Sequence, residues 1–226
     1  KYITDITSNF SDAVIRKVTG LAILESGTPP VAFSFICLGS EGRKEETLFT
    51  DQDNAIIYDQ VPPEMEKSAA EYFQKLGEII CNSLNYIGYS FCKGNIMAKN
   101  PQWCQPVSYW EACFSRWILT PEPQNLLDAT IFFDFRTVYG GDHFTLKLRD
   151  QINRQIAGRG LFLYHLAHQV CHGKYPHLPA SLLSEKGYDP VDLKQLVNFV
   201  VMFARLYALQ NNIPHQNTLE RLDALK

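Results

Sequence analysis

The chain has 226 residues, 46% of them hydrophobic and 20% charged, with a formal net charge of −3, enough for one good core or two modest ones. No apolar run approaches the roughly 20 residues needed to cross a bilayer, and no apolar h-region of a secretory signal follows Lys1-Tyr-Ile-Thr-Asp. The mildly acidic balance argues against a broad nucleic-acid surface, which needs clustered Lys and Arg. Six cysteines (Cys37, Cys81, Cys92, Cys104, Cys113 and Cys171) form no C-x-x-C pair. They read as small buried hydrophobes in a reducing compartment, so the cytoplasm is the expected location. The sequence opens on Lys1 rather than Met, as a piece of a longer protein would.

In chain order, Ser8 to Leu24 has capping residues and apolar helical spacing at Val14, Ile15, Val18, Leu21 and Ala22, and Pro29-Pro30 closes it. Phe33 to Leu38 is a short, mostly apolar run that predicts a buried strand, broken by Gly39-Ser40. Asp51 to Tyr58 predicts a second strand, Glu64 to Leu84 a long helix with one apolar face, and Gly88 to Cys92 a short third strand. Lys93 to Pro106 holds Gly94, Asn100-Pro101 and Pro106 and reads as a loop and domain junction. Beyond it the pattern predicts helices: Ser108 to Leu119, Leu126 to Tyr139, Asp142 to Ala157, Leu161 to Cys171, Asp189 to Leu209 and Thr218 to Leu225. Pro121, Pro123, Gly140-Gly141, Gly158, Gly160, Pro176 and Pro179 punctuate them. The expected fold is α+β. A small mixed sheet with flanking helices occupies residues 1–104, and an antiparallel helical bundle residues 105–226.

The chemistry concentrates between Phe33 and Tyr58. Gly39 permits backbone angles that a side chain forbids and lets a ligand come close, and a helix or turn starting at Ser40 offers free N–H groups and a hydroxyl to an anion. Ten residues separate Ser40 from Asp51, and Asp53 follows after one more residue. On an extended segment residues i and i+2 face the same side, so both carboxylates point to one place. Two close carboxylates repel unless a cation sits between them, and Mg²⁺ (or Mn²⁺) suits one or two carboxylates together with substrate phosphates. A phosphate cradle beside a metal-holding acid pair describes phosphoryl or nucleotidyl transfer.

Gly39-Ser40, ten residues, then Asp51-x-Asp53 resembles the signature of the DNA-polymerase-beta-like nucleotidyltransferase superfamily. The fuller string Gly-Ser-Glu-Gly-Arg-Lys-Glu…Thr-Asp-Gln-Asp-Asn-Ala is similar to one branch, the DUF294-type nucleotidyltransferases, related to the uridylyltransferase that modifies the PII signalling protein and often found beside CBS domains. Lys93-Gly-Asn-Ile-Met-Ala, Phe133-Asp-Phe-Arg136 and Ala204-Arg-Leu-Tyr-Ala-Leu209 resemble the same branch, so the likeness runs from about residue 30 to the C-terminus. It implies transfer of a nucleotide monophosphate from a nucleoside triphosphate to a hydroxyl, with a protein side chain as a candidate acceptor. CBS domains in a longer parent chain would be companions. Gly39 and Ser40 would hold the β/γ phosphates, Asp51 and Asp53 the metal, and Arg43 the triphosphate charge.

Other residues carry a bland reading beside a functional one. Arg43 suits phosphate oxygens, yet could pair with Glu45 and stiffen the loop. Lys93 could reach a phosphate or lie solvated. Asp134 and Arg136 interrupt an apolar segment, where charges are costly unless paired; they either pair or face a cleft, where Arg136 would join the nucleotide-binding groups. Arg205 poses the same question, with structure favoured. His165, His168 and His172 could share a helix face beside Cys171, but without the distant ligand a zinc site needs.

The chain also departs from the superfamily. A third carboxylate often stands on the strand beside the acid pair, whereas Gly88-Tyr-Ser-Phe-Cys92 has none, and Gln52 replaces an apolar residue between the acids. The simplest general base is thereby missing. Asp134 is the expected substitute, and a nucleotide-binding regulatory module with little or no turnover is the alternative. A purely structural helical adaptor is the third reading.

Overall fold

The structure, a computed structural model, describes residues 2–47, 50–120, 130–172 and 193–226. Alternation along two central strands decides the layering. In β1 (Phe33–Leu38), Phe33, Phe35 and Cys37 enter one apolar cluster while Ile36 and Leu38 enter another. In β3 (Asn54–Tyr58), Ile56 and Tyr58 join the first cluster, and Ala55 and Ile57 the second. Every residue of both strands is buried, which is why they read as continuous apolar runs rather than as alternating ones.

The first face is covered by α1 (Tyr2–Ser26) and α3 (Glu66–Tyr86), which supply Ile15, Phe73, Leu76 and Ile80. The second face is aromatic: Trp110, Phe114 and Trp117 of α4 (Val107–Leu119) pack with Phe132, Phe133 and Phe135, and α5 (His143–Ile156) adds Phe144 and Leu148. Each such side chain taken out of water contributes about 1.5–3 kcal/mol. α6 (Gly160–His172) packs on α5, α7 (Leu193–Gln210) on both, and α8 (Thr218–Ala224) on α7. The fold is α+β, as expected, with a helical C-terminal region following a small mixed sheet.

The sheet has the order β5-β3-β1-β6, with β5 (Cys104–Pro106) parallel to β3, and both β3 and β6 (Phe135–Gly140) antiparallel to β1. A second, two-stranded sheet pairs β2 (Asp51–Gln52) with β4 (Ser90–Phe91) in parallel. The strand β6 corrects the expectation of a helix through Tyr139. Residues 130–132 are helical, but Phe135-Arg-Thr-Val-Tyr139 extends along β1 from Leu38 to Phe35, with a register shift at Phe35/Ile36, and Gly140 continues opposite Ser34. Its Thr, Val and Tyr fit a pleated surface, and the free edge of β1 overrides the helical appearance of the run. The sheet therefore takes strands from both sides of residue 104. α1 begins before the expected Ser8, and Asp51 to Tyr58 is interrupted at Asp53 instead of forming one strand. Pro121, Pro123, the start of the expected Leu126 to Tyr139 helix, Pro176, Pro179 and Asp189-Pro190 lie outside the described residues.

Candidate active site

The ladder between β1 and β3 sets the site. Cys37 pairs with Asn54, and one step further the Leu38 amide donates to the Asp53 carbonyl at 2.8 Å. The chain then turns at Gly39 directly beside the Asp53 carboxylate. Gly39 has φ +57°, and a Cβ placed there would lie 3.2 Å from Asp53 Oδ2. Any side chain would thus both strain the backbone and fill the space against the acid. Gly39–Gly42 forms the one-turn helix α2, closed by the Arg43 amide donating to the Gly39 carbonyl at 3.0 Å. At Gly42 a Cβ would come 2.2 Å from the Asp134 carbonyl oxygen, so this glycine lets two backbones touch.

The acid pair is fixed from below by its neighbours. Gln52 is buried, and its Nε2 donates to the carbonyls of Cys81 at 3.0 Å and Tyr89 at 2.9 Å. Asn54 Oδ1 accepts from the Ala98 amide at 2.8 Å, and the Asn54 amide donates to the Ile96 carbonyl at 3.1 Å. Gln52, unusual against the superfamily pattern, thereby ties β2 to α3 and to the approach of β4. Asp51 is exposed and Asp53 half-buried. Their carboxylates converge with the Cys92 thiol, one ligand atom from each lying within 4.8 Å of the others. Burial pushes that thiol up to about 11, with the Asp53 carboxylate adding to the rise. Two carboxylates at this spacing, beside a turn that a Cβ would fill, fit a divalent cation carrying a phosphate ligand.

The profile described as Putative nucleotidyltransferase DUF294 matches residues 1–124, and that described as Putative nucleotidyltransferase substrate binding domain matches residues 160–226. The chain belongs to the DUF294 nucleotidyltransferase family. No curated protein matches it.

Around this DUF294 site the remaining expected residues are distributed unevenly. Ser40 is half-buried in α2, next to Gly39. Lys93 is exposed in the turn after β4, next to Cys92. Arg43 is only 11% exposed, with Nε donating to Glu45 at 2.7 Å and Nη1 to Asp134 Oδ2 at 2.8 Å. The Arg43–Glu45 pair weighed from the sequence is present, joined to a larger network.

Asp134 and Arg136 require correction. Asp134 is fully buried, on the chain between Phe133 and β6 rather than on a helix facing a cleft. Its Oδ2 accepts from Arg43 and from Arg205 Nε at 3.1 Å and Nη2, and its Oδ1 from Arg221 at 2.7 Å. Burial alone would raise this carboxyl, but Arg205, Arg221 and Arg43 outweigh it and hold the group well below the usual carboxylate range. Without access or basicity it does not serve as a general base. Arg136 grips Asp12 of α1 with two bonds of 2.8 and 2.7 Å and donates through Nε to the Glu41 carbonyl at 3.0 Å. It braces α2 from behind instead of presenting its fork to a nucleotide.

Several residues of the site went unread in the sequence. Glu41 follows Ser40 yet is buried, and burial, then the Glu46 carboxylate, raises it to about 8. Arg221 binds Asp134, and Asn217 Nδ2 donates to the Arg43 carbonyl at 3.2 Å. Cys92 carries no sequence signal of its own, although its place at the strand end beside an Asp-x-Asp could have marked it. Among the described residues, the acid pair with Cys92 is the only group of three or more possible metal ligands; the side chains of Cys171 and His172 lie outside them.

Proposed function

We propose that this DUF294 chain transfers a nucleotide monophosphate from a nucleoside triphosphate to a hydroxyl, with a protein side chain as the acceptor class and the cytoplasm as its setting. The observation that carries the reading is Gly39 held against Asp53 by the β1–β3 ladder, which puts a side-chain-free turn and the acid pair into one space. In this reading Gly39 and Ser40 receive the β/γ phosphates, through backbone amides and the Ser40 hydroxyl, while Asp51 and Asp53 hold Mg²⁺. The cation, when bound, neutralises charge that builds on the phosphate oxygens. The protein's part is positioning: Gln52 and Asn54 fix the acids, and Arg136 with Asp12 fixes the turn that meets the phosphates. Lys93, exposed in the turn that follows Cys92, supplies a cation for the triphosphate tail in this reading.

A second reading is a regulatory nucleotide-binding module, favoured by one observation: the strand beside the acids brings Cys92, not a third carboxylate, to the site. Two measurements separate the readings. Calorimetry with each of the four nucleoside triphosphates should show binding that needs Mg²⁺ and is lost in Asp53→Asn. Equal affinity with Mg²⁺, with EDTA and in the variant would refute the metal-site reading. Incorporation of label from α-³²P triphosphates into lysate proteins should then occur with the wild type. Tight binding without labelling selects the regulatory module.

A further inference from the structure

The position that lacks the third carboxylate is not vacant of ligands. β2 and β4 run parallel, with Asp51 opposite Ser90 and Gln52 opposite Phe91. Asp53 and Cys92 each follow directly on the last pair of that ladder, and the Cys92 thiol converges there with both carboxylates. Of the free cysteines in the described structure, Cys37, Cys81, Cys104 and Cys113 are buried, while Cys92 is only partly so. Its backbone is held in place: the Cys92 carbonyl accepts from the Asn95 amide at 3.0 Å, and the Asn95 carbonyl accepts from Asn100 Nδ2 at 3.0 Å. The thiol is thus presented to the acids by a pinned turn, and its sulfur lies within ligand-sharing distance of both carboxylates.

We propose that Cys92 is a third protein ligand of the acid-pair site, engaged when the site takes a thiophilic divalent cation such as Zn²⁺ or Co²⁺ and left out when the two carboxylates hold Mg²⁺. The proposal rests on the metal-binding reading of Asp51 and Asp53 given above. The chemistry follows from ligand softness. Oxygen donors alone suit Mg²⁺ and Mn²⁺, whereas a thiolate adds a strong bond to Zn²⁺ or Co²⁺ and little to Mg²⁺. On binding, the sulfur–hydrogen bond breaks, the sulfur–metal bond forms from the same electron pair, and the proton leaves to solvent. With Mg²⁺ the sulfur keeps its proton, and the two carboxylates alone coordinate. The site therefore distinguishes two classes of cation by whether Cys92 engages.

Co²⁺ is the probe, added to the full chain under reducing conditions and followed by its near-ultraviolet thiolate-to-cobalt charge-transfer absorption and, separately, by calorimetry. One equivalent should produce the band in the wild type and none in Cys92→Ser, with Co²⁺ and Zn²⁺ affinities falling about tenfold or more and Mg²⁺ affinity changing less than about twofold. Co²⁺ should also shield Cys92 from alkylation, read by mass spectrometry of the Cys92 peptide. Co²⁺ binding of equal strength in wild type and Cys92→Ser, without the band, would overturn the Cys92 proposal and leave the acid-pair site standing. Failure of the acid-pair reading itself looks different: Asp53→Asn would bind Co²⁺ as tightly as the wild type, with or without the band.

Discussion

Arg221, in the last helix of the chain, donates to Asp134 at 2.7 Å across 87 residues of sequence. Because Asp134 also receives Arg43, just past the Gly39–Gly42 turn, and Arg205 of α7, a single carboxylate fastens α7 and α8 to the loop that follows α2. Thr218 adds a second tie, its amide donating to Glu45, which itself pairs with Arg43. The segment matched by the substrate-binding profile is thus wired through charge to the loop that follows α2.

Replacing Asp134 by Asn tests this hub. Removing the negative charge leaves Arg43, Arg205 and Arg221 facing one another in a buried place, and breaking a buried pair in this way costs about 3–5 kcal/mol. The expected outcome is an unfolding free energy lowered by that amount at neutral pH, read as a lower urea midpoint with the slope unchanged. The acid side has a definite sign. The folded carboxyl lies below its ordinary range, so the stability it contributes is present above the unfolded value and is lost only as pH falls through the folded one. Wild type should therefore keep this contribution through mildly acidic conditions. An unchanged midpoint in Asp134→Asn would show that the three arginines find other partners.

Glu41 titrates in the opposite sense. Burial and Glu46 raise it from 4.5 to about 8, so between those values the folded state holds a proton that the unfolded state has lost. Stability from this group is complete below the unfolded value, declines as pH rises, and is gone above about 8. Glu41→Gln, neutral at every pH, should flatten the stability profile between about pH 5 and 8 and be the more stable protein at the alkaline end. Chemical unfolding at several pH values checks this, and parallel profiles for variant and wild type would refute it.

At Gly39 the prediction separates stability from binding. An Ala there meets a left-handed φ costing about 1–2 kcal/mol and a Cβ 3.2 Å from Asp53 Oδ2. The protein should remain folded by circular dichroism, with a melting temperature lowered by several degrees, and should lose most triphosphate affinity because the Cβ occupies the approach to the acids. Retained affinity in folded Gly39→Ala would mean that phosphate does not lie against this turn.

The sequence by itself determined the parts of this protein whose causes are local. The apolar run of Phe33 to Leu38, the break at Gly39-Ser40 and the two acids ahead of Ala55 to Tyr58 each act within a few residues, so the strands, the turn and the acid pair were legible from spacing. Tertiary structure decided the rest. Phe135 to Tyr139 became a strand because β1, about a hundred residues earlier, offered an unpaired edge, and no periodicity within the segment encodes that edge. Asp134 and Arg136, two residues apart, went to different partners, one to Arg43, Arg205 and Arg221 and the other to Asp12. A buried charge takes whichever opposite charge the fold brings within reach, and that choice depends on distance in space, to which separation along the chain is no guide.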